Sequence, residues 1–148
     1  MEFLVITGLS GAGKTRVIDI CEDMGYYCVD NLPIALIDRF AELCLATRGR
    51  FERVAVGLDV RASREMGELS AALDRLEAMD CGMRILFVDA SDRTLVRRYK
   101  ETRRPHPLAA RGRTLAEAIA ADRSFSEPLR RRAEHVIDTT GMSLSGLQ

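Results

Sequence analysis

Short apolar runs recur along the chain, and most are followed by a stretch in which apolar residues recur at helical spacing. Runs that are apolar at consecutive positions are typical of strands buried on both faces of a parallel sheet. The predicted strands are Phe3 to Thr7, Tyr26 to Asp30, Arg53 to Asp59, Arg84 to Asp89 and His135 to Asp138. Because strands and helices alternate, the pattern predicts an α/β protein with helices on both faces of a parallel sheet.

The stretches between the strands carry apolar residues every three or four positions, as a helix with one buried face does. The predicted buried stripes are Val17, Ile18, Cys21 and Met24; Ile37, Phe40, Ala41 and Cys44; Met66, Leu69, Leu73 and Leu76; Leu95, Val96 and Tyr99; and Leu115, Ala118, Ile119 and Phe125. The predicted helix N-caps are Asn31, Ser63, Ser91 and Thr114. We expect Pro128 to kink or restart the last helix, because proline lacks the N–H that a helix interior needs.

The segment between the first strand and the first helix is rich in glycine and reads Gly8-Leu9-Ser10-Gly11-Ala12-Gly13-Lys14-Thr15. It fits the phosphate-loop (P-loop) pattern G-x-x-x-x-G-K-[ST] in the strand–turn–helix context that the pattern requires. Glycines let the backbone approach an anion closely, and the loop amides and the helix dipole attract it. We expect Lys14 at the β- and γ-phosphates of a nucleotide and the Thr15 hydroxyl at Mg²⁺.

Aspartates end three of the predicted strands, at Asp30, Asp59 and Asp89. Ligands of parallel α/β sheets bind at the carboxyl ends of the strands. If the strand order is 2-3-1-4-5, as in small P-loop kinases, strands 3 and 4 both flank the P-loop strand. We rank Asp59 first as the metal carboxylate, Asp30 second, where kinases hold the acceptor substrate, and Asp89 third. A helix or turn cap is the structural alternative for each.

Basic residues are concentrated after the fourth strand, at Arg97, Arg98, Lys100, Arg103, Arg104, Arg111 and Arg113. Small P-loop kinases carry a lid at this place, and its arginines neutralise charge on the transferred phosphoryl group. A solvated basic face is the alternative, and we give it equal weight. Neither His106 in this segment nor His135 in the last strand is predicted to be catalytic.

Composition narrows the class of protein. A chain of 148 residues with a formal net charge of zero suits one domain and argues against a domain-wide nucleic-acid surface. The apolar runs are too short to span a membrane, and we expect no signal peptide, since the first strand begins almost at once. The cysteines have no metal-binding spacing, so reduced thiols and a cytoplasmic location are expected.

Two blocks are more specific than the P-loop itself, namely Glu22-Asp23-Met24-Gly25-Tyr26-Tyr27-Cys28-Val29-Asp30-Asn31-Leu32-Pro33 and Thr102-Arg103-Arg104-Pro105-His106-Pro107-Leu108. Further blocks are Asp59-Val60-Arg61, Phe87-Val88-Asp89-Ala90 and Val136-Ile137-Asp138-Thr139. Together with the P-loop, these blocks resemble the RapZ/YvcJ family of nucleotide-binding proteins over nearly the whole chain.

The resemblance implies a single kinase-like P-loop domain over residues 1–148 that binds ATP or GTP with Mg²⁺ and hydrolyses it slowly. The implied nucleotide-binding residues are Gly8, Leu9, Ser10, Gly11, Ala12, Gly13, Lys14, Thr15, Asp59, Val60, Arg61 and Ala62. Thr15 and Asp59 are then expected to hold the metal. Lys14, Asp59 and Arg103 are expected to be the catalytic residues.

Members of this family are bacterial cytosolic proteins, and some are adapters that present a small regulatory RNA to a ribonuclease. The resemblance attributes RNA binding mainly to a C-terminal domain, which we expect this chain to lack because the family continues beyond Ser143. Two other functions stay open: a small-molecule kinase with Asp30 at the acceptor, and a nucleotide-gated adapter without significant turnover. The choice between ATP and GTP and assembly into a homo-oligomer also stay open.

Overall fold

The computed structural model describes residues 2–47, 52–58, 63–79, 82–102 and 114–140. Five parallel strands form one sheet in the order β2-β3-β1-β4-β5. They are β1 (Glu2–Gly8), β2 (Tyr27–Val29), β3 (Arg53–Gly57), β4 (Met83–Asp89) and β5 (His135–Asp138). The predicted strand order is confirmed.

The helices connect successive strands. They are α1 (Lys14–Asp23), α2 (Ile37–Ala46), α3 (Ser63–Ala78), α4 (Asp92–Thr102) and α5 (Leu115–Arg132), and a 3₁₀ turn at Ile34–Leu36 precedes α2. Helix α1 packs on β1, β2 and β3, whereas α5 packs on β1 and β4. The fold is therefore the predicted α/β arrangement.

The sheet is covered on both faces. Ile85, Leu86, Phe87 and Val88 are all buried along β4, although successive side chains of a strand point to opposite faces. The same holds for Val54 to Val56 along β3. Consecutive burial of this kind is the reason why the strands read as unbroken apolar runs.

Strand β1 is the centre of the sheet. It pairs with β3 in a register that sets Ile6 opposite Gly57, and with β4 in a register that sets Gly8 opposite Val88. Because all strands are parallel, the carboxyl ends of β3 and β4 flank the segment that follows Gly8. The sheet thus places this glycine-rich segment at the edge where α/β proteins bind ligands.

The helix stripes are less buried than predicted at six of the described positions. Met24 is the C-cap of α1 and is 59% exposed. The others are only half-buried: Phe40, Val96, Tyr99, Leu115 and Phe125. On α5 the buried face instead includes two polar residues, Asp122 and Ser126. The helical periodicity predicted Phe125 to be buried because it considers only apolar residues. The buried face of α5 instead includes the carboxylate of Asp122.

Two predicted caps are confirmed. The Thr94 N–H donates to Ser91 Oγ at 3.2 Å, and the Glu117 N–H donates to Thr114 Oγ1 at 3.1 Å. Asn31 is not a cap: it has a left-handed φ of +57°, and the helical turn begins only after Pro33.

Helix α5 continues through Pro128, so the expected restart is wrong. Proline at this position removes the N–H donor for the carbonyl group of Ser124. Ser124 is exposed, so water can satisfy that carbonyl group. Across the described ranges, no helix is long and apolar enough to cross a membrane.

Candidate functional site

The loop between β1 and α1 begins in direct contact with β4. A Cβ atom built on Gly8 would lie 2.2 Å from the carbonyl oxygen of Val88. The N–H of Leu9 donates to that same oxygen at 3.2 Å. The first glycine of the motif is therefore required by close approach of the β4 backbone, because any larger residue would separate the two strands.

The amino end of α1 is open. Gly13, at φ +108°, is the N-cap, and it makes no side-chain capping bond. The first turn of α1 also contains no acidic residue. Helix α5, by contrast, is capped by Thr114 and carries Glu117 in its first turn. The amides and the positive dipole end of α1 thus face the loop. No acidic side chain in the first turn of the helix competes with a bound anion there, as an anion site requires.

Arg98 of α4 binds carbonyl groups of the loop backbone. Its Nη1 lies 3.2 Å from the carbonyl oxygens of both Gly11 and Ala12. The same guanidinium group donates to the Oγ1 and carbonyl oxygen of Thr139, at 2.9 and 2.8 Å. Burial, followed by the positive charge of Arg97, lowers the pKa of Arg98. Arg98 was predicted as part of a lid or, with equal weight, of a solvated basic face; in this structure it binds the loop backbone.

Tyr99, the next residue of α4, covers the loop at Gly11. A Cβ atom on Gly11 would lie 2.8 Å from Cε2 of the tyrosine ring, and Gly11 has a φ of +82°. Both the contact and the left-handed backbone require glycine at this position. Helix α4 therefore meets the loop through two successive residues, one polar and one aromatic.

Thr139, directly after β5, lies beneath the loop with an exposure of 0%. Its hydroxyl group donates to the carbonyl oxygen of Ala12 at 2.6 Å, and its N–H donates to the carbonyl oxygen of Asp89 at 2.9 Å. Thr139 thereby joins the carboxyl ends of β4 and β5 to the loop.

Asp122 of α5 contacts the loop from the opposite side. Its Oδ2 accepts a hydrogen bond of 2.9 Å from the N–H of Ser10, and the residue is only 5% exposed. Sequence reasoning missed this residue. The signal was present as a carboxylate within the buried stripe of α5, between Ile119 and Ser126.

Asp89 is buried and forms an ionic cluster with two partly exposed arginines of α5. Its Oδ1 accepts from the Ala90 N–H at 2.7 Å and from Arg123 at 3.0 Å, and its Oδ2 accepts from Arg130 at 3.3 Å. Although burial opposes it, hydrogen bonds to Asp92 and Asp89 raise the pKa of Arg123. In this structure Asp89 therefore has the capping role that we gave as its alternative, and it forms two ion pairs that we did not predict.

Asp30 lies at the carboxyl end of β2 and reaches over β3. Its Oδ1 accepts from the Asn31 N–H at 2.8 Å, and it would be 2.5 Å from a Cβ atom on Gly57. Lys14 and Thr15 stand at the start of α1, half-buried and exposed, respectively. The described residues include no group of three histidine, cysteine or acidic side chains that could hold a metal ion by themselves.

The other predicted site residues fall outside the described ranges. They are Asp59, Val60, Arg61, Ala62 and Arg103, together with Arg104, Arg111 and Arg113 of the basic cluster. Arg97, which is described, is exposed and lies 4.0 Å from Glu101.

Comparison with known sequences identifies the family. The model of the RapZ-like N-terminal domain matches residues 1–148. The chain belongs to this family. Among curated relatives, a nucleotide-binding protein of Alkaliphilus oremlandii is 45% identical over 148 residues, covering 100% of this chain and 51% of the relative. One from Symbiobacterium thermophilum is 46% identical, covering 100% of this chain and 49% of the relative. This RapZ-like domain thus spans about half the length of the curated relatives it matches.

Solved structures confirm the kinase-like fold. Shikimate kinase from Acinetobacter baumannii, solved with shikimate, superposes with a TM-score of 0.61 at 15% identity, covering 99% of this chain and 87% of that one. A gluconokinase from Sinorhizobium meliloti gives a TM-score of 0.56 at 17% identity, covering 99% and 86%. At these identities the likeness establishes the P-loop kinase fold alone.

Proposed function

We propose that this RapZ-like domain binds ATP or GTP with Mg²⁺ at residues Gly8 to Thr15 and hydrolyses the nucleotide slowly. The observation that carries the proposal is the orientation of the peptide group between Ala12 and Gly13. The carbonyl oxygen of Ala12 is bound by Thr139 and Arg98. In a planar trans peptide the N–H of the following residue points away from the carbonyl oxygen. The Gly13 N–H therefore points away from Thr139 and Arg98 and lies with the amides at the amino end of α1, whose first turn has no acidic residue.

Each residue of the motif then has a role. The Ala12 N–H donates to the carbonyl oxygen of Leu9 at 3.1 Å. The amides of Gly11, Gly13 and Lys14 would therefore cradle the β-phosphate, and the Lys14 ammonium group would neutralise charge at the β- and γ-phosphates. Thr15 and Asp59 would hold Mg²⁺, which supplies further neutralisation of phosphate charge when it is bound. The guanidinium group of Arg103 would stabilise the negative charge of the transferred phosphoryl group.

The family supports nucleotide as the anion. The relatives described above are named nucleotide-binding proteins, and their identity extends over the whole of this chain. The chain carries no guanine-specific N-K-x-D pattern, so nothing in it selects GTP over ATP. A regulatory adapter role for the longer protein, with RNA and a ribonuclease as partners, rests on the family resemblance alone.

Lysine labelling tests the site directly, because Lys14 and Lys100 are the only lysines of the chain. An amine-reactive reagent followed by peptide mass spectrometry reports both side chains separately. We expect Mg·ATP or Mg·GTP to protect Lys14 and to leave Lys100, exposed on α4, equally reactive. Equal labelling of Lys14 with and without saturating nucleotide would contradict the proposal.

A small-molecule kinase is the second candidate, and the position of Asp30 favours it. The carboxylate lies over Gly57, at the sheet edge that also carries the P-loop. In this alternative Asp30 would bind or deprotonate an acceptor hydroxyl group. Transfer of the γ-phosphate from labelled ATP to a panel of sugars and hydroxy acids, abolished by Asp30→Asn, would support it. Release of phosphate to water alone would favour the hydrolase.

A nucleotide-gated adapter without significant turnover is the third possibility. A variant that binds nucleotide but does not hydrolyse it would then still bind its partner normally. Equal affinity for the partner with and without nucleotide would count against gating, because a ligand shifts an equilibrium only by its differential affinity for the two states.

A further inference from the structure

Helix α5 buries a carboxylate where its periodicity calls for an apolar residue. Asp122 is 5% exposed and lies on the same face as Ile119 and Leu129, which are fully buried. A buried charge is unfavourable unless it has a polar partner. Asp122 accepts a hydrogen bond of 2.9 Å from the N–H of Ser10 in the P-loop.

We propose that Asp122 is a positioning residue of the P-loop and that it acts by accepting the hydrogen bond from the Ser10 N–H. The inference rests on the proposed nucleotide binding. It adds a residue of α5 to the machinery of that site, 112 positions away from Ser10 in the chain.

The contact fixes the part of the loop that lies between two other anchors. Before it, Leu9 is tied to the carbonyl oxygen of Val88 in β4. After it, Gly11 and Ala12 are held through their carbonyl oxygens by Arg98. Asp122 binds an amide between these two anchors. The loop is thereby fixed from three sides before any ligand arrives, which lowers the ordering cost of binding.

The chemistry of the two polar anchors is matched to the two kinds of backbone group. A guanidinium group can only donate, and it binds carbonyl oxygens; an ionised carboxylate can only accept, and it binds an amide. The neighbouring Arg123 is engaged with Asp89 and with the carbonyl oxygen of Ala90. Helix α5 therefore delivers a carboxylate to the loop and a guanidinium group to the end of β4 from successive residues.

The carboxylate has two effects of opposite sign on an anionic ligand. Its hydrogen bond preorganises the loop and strengthens binding, whereas its negative charge near the phosphates weakens binding. Asparagine keeps the acceptor oxygen and removes the charge. Leucine has the same number of side-chain heavy atoms, branched at the same carbon, and it removes both.

The experiment is calorimetric titration of Mg·ATP into the wild type and the Asp122→Asn and Asp122→Leu variants, well below their melting temperatures. We expect Asp122→Asn to bind at least as tightly as the wild type. We expect Asp122→Leu to bind about tenfold more weakly, because the loop loses an anchor of ordinary hydrogen-bond strength. Ser126→Ala is the matched control, since Ser126 is also buried, one turn further along the same face of α5.

A purely structural role would lower the melting temperature of both Asp122 variants and leave the affinity of the folded protein unchanged, and that result would overturn the inference. An affinity of Asp122→Asn as low as that of Asp122→Leu would also overturn it, because the charge and not the acceptor would then be required. A wild type that binds no nucleotide would instead sink the proposed function, so the two failures are distinguishable.

A measurement on the wild type alone covers the case in which the leucine variant does not fold. In the nucleotide-free protein the amide of Ser10 should exchange with deuterium more slowly than an exposed loop amide, as resolved by nuclear magnetic resonance. Exchange of the Ser10 amide at the rate of an unprotected amide would overturn the inference without any variant.

Discussion

The hydroxyl group of Thr139 donates a hydrogen bond of 2.6 Å to the carbonyl oxygen of Ala12, across 127 positions of the chain. Arg98 binds both of these residues at the same time. The P-loop is thereby attached to the carboxyl end of the last strand and to α4. Its shape depends on residues that lie far outside the motif.

Replacing Thr139 with valine tests this attachment. The change keeps the shape of the side chain and removes the hydroxyl group, so the carbonyl oxygen of Ala12 loses its hydroxyl donor. We expect the free energy of unfolding to fall by about 1–3 kcal/mol and the affinity for Mg·ATP to fall with it. Urea denaturation and calorimetry measure the two effects. Thr139→Ser keeps the hydroxyl group and should resemble the wild type; a valine variant that also does so would refute the attachment.

Arg98 and Arg97 form a matched pair on one helix. Arg98→Gln removes the charged fork that binds Gly11, Ala12 and Thr139, whereas Arg97→Gln removes an exposed side chain 4.0 Å from Glu101. We expect about a tenfold loss of nucleotide affinity for Arg98→Gln and almost none for Arg97→Gln. Arg98→Lys should recover only part of the loss, because an ammonium group lacks the planar fork. Equal effects of the two glutamine variants would show that Arg98 does not hold the loop.

Two glycines give opposite predictions for the same substitution. In Gly8→Ala the new methyl group would meet the carbonyl oxygen of Val88 at 2.2 Å, so β1 and β4 must separate. In Gly67→Ala the methyl group, on helix α3, meets nothing within 4 Å. We expect the first variant to unfold at a much lower temperature and the second to gain roughly 0.5–1 kcal/mol. Thermal denaturation followed by circular dichroism decides, and a Gly8→Ala protein as stable as the wild type would contradict the strand contact.

Cys28 should react slowly at neutral pH. Burial, followed by the nearby Cys21, raises the pKa of its thiol from 9.0 to about 11. Since only the thiolate is nucleophilic, the rate of alkylation at pH 8 should be roughly a hundredfold below that of a thiol with the ordinary value. The alkylation rate should rise with pH and reach half of its maximum at about pH 11. Iodoacetamide labelling resolved by peptide mass spectrometry measures it; a half-maximal rate near pH 9 would be inconsistent with this environment.

The sequence carried enough information to predict the sheet. The strand order was expected by analogy with small P-loop kinases, and both faces of β4 are buried as its unbroken apolar run requires. The boundaries of β5 were predicted at His135 and Asp138. The caps at Ser91 and Thr114 were also predictable, because a capping bond joins residues three positions apart.

The anchors of the loop could not be predicted, because they are tertiary contacts. Arg97 and Arg98 are neighbours in one basic cluster, and only the orientation of α4 turns Arg98 toward the loop and Arg97 toward solvent. Asp122 was missed because hydrophobic periodicity has no means of recognising a buried carboxylate. Thr139 directly follows the last predicted strand, so its position at the carboxyl end of the sheet was predictable. The burial of its hydroxyl group was not predicted.

Isothermal titration calorimetry of the chain decides whether residues Gly8 to Thr15 form a nucleotide site. ATP, GTP and their diphosphates would each be titrated with and without Mg²⁺ into the wild type, into Lys14→Ala and into the control Lys100→Ala. We expect saturable binding of a nucleoside triphosphate with Mg²⁺ to the wild type and to Lys100→Ala, and an affinity at least about tenfold lower for Lys14→Ala. Unchanged affinity in Lys14→Ala, or no binding by the wild type, would contradict this expectation.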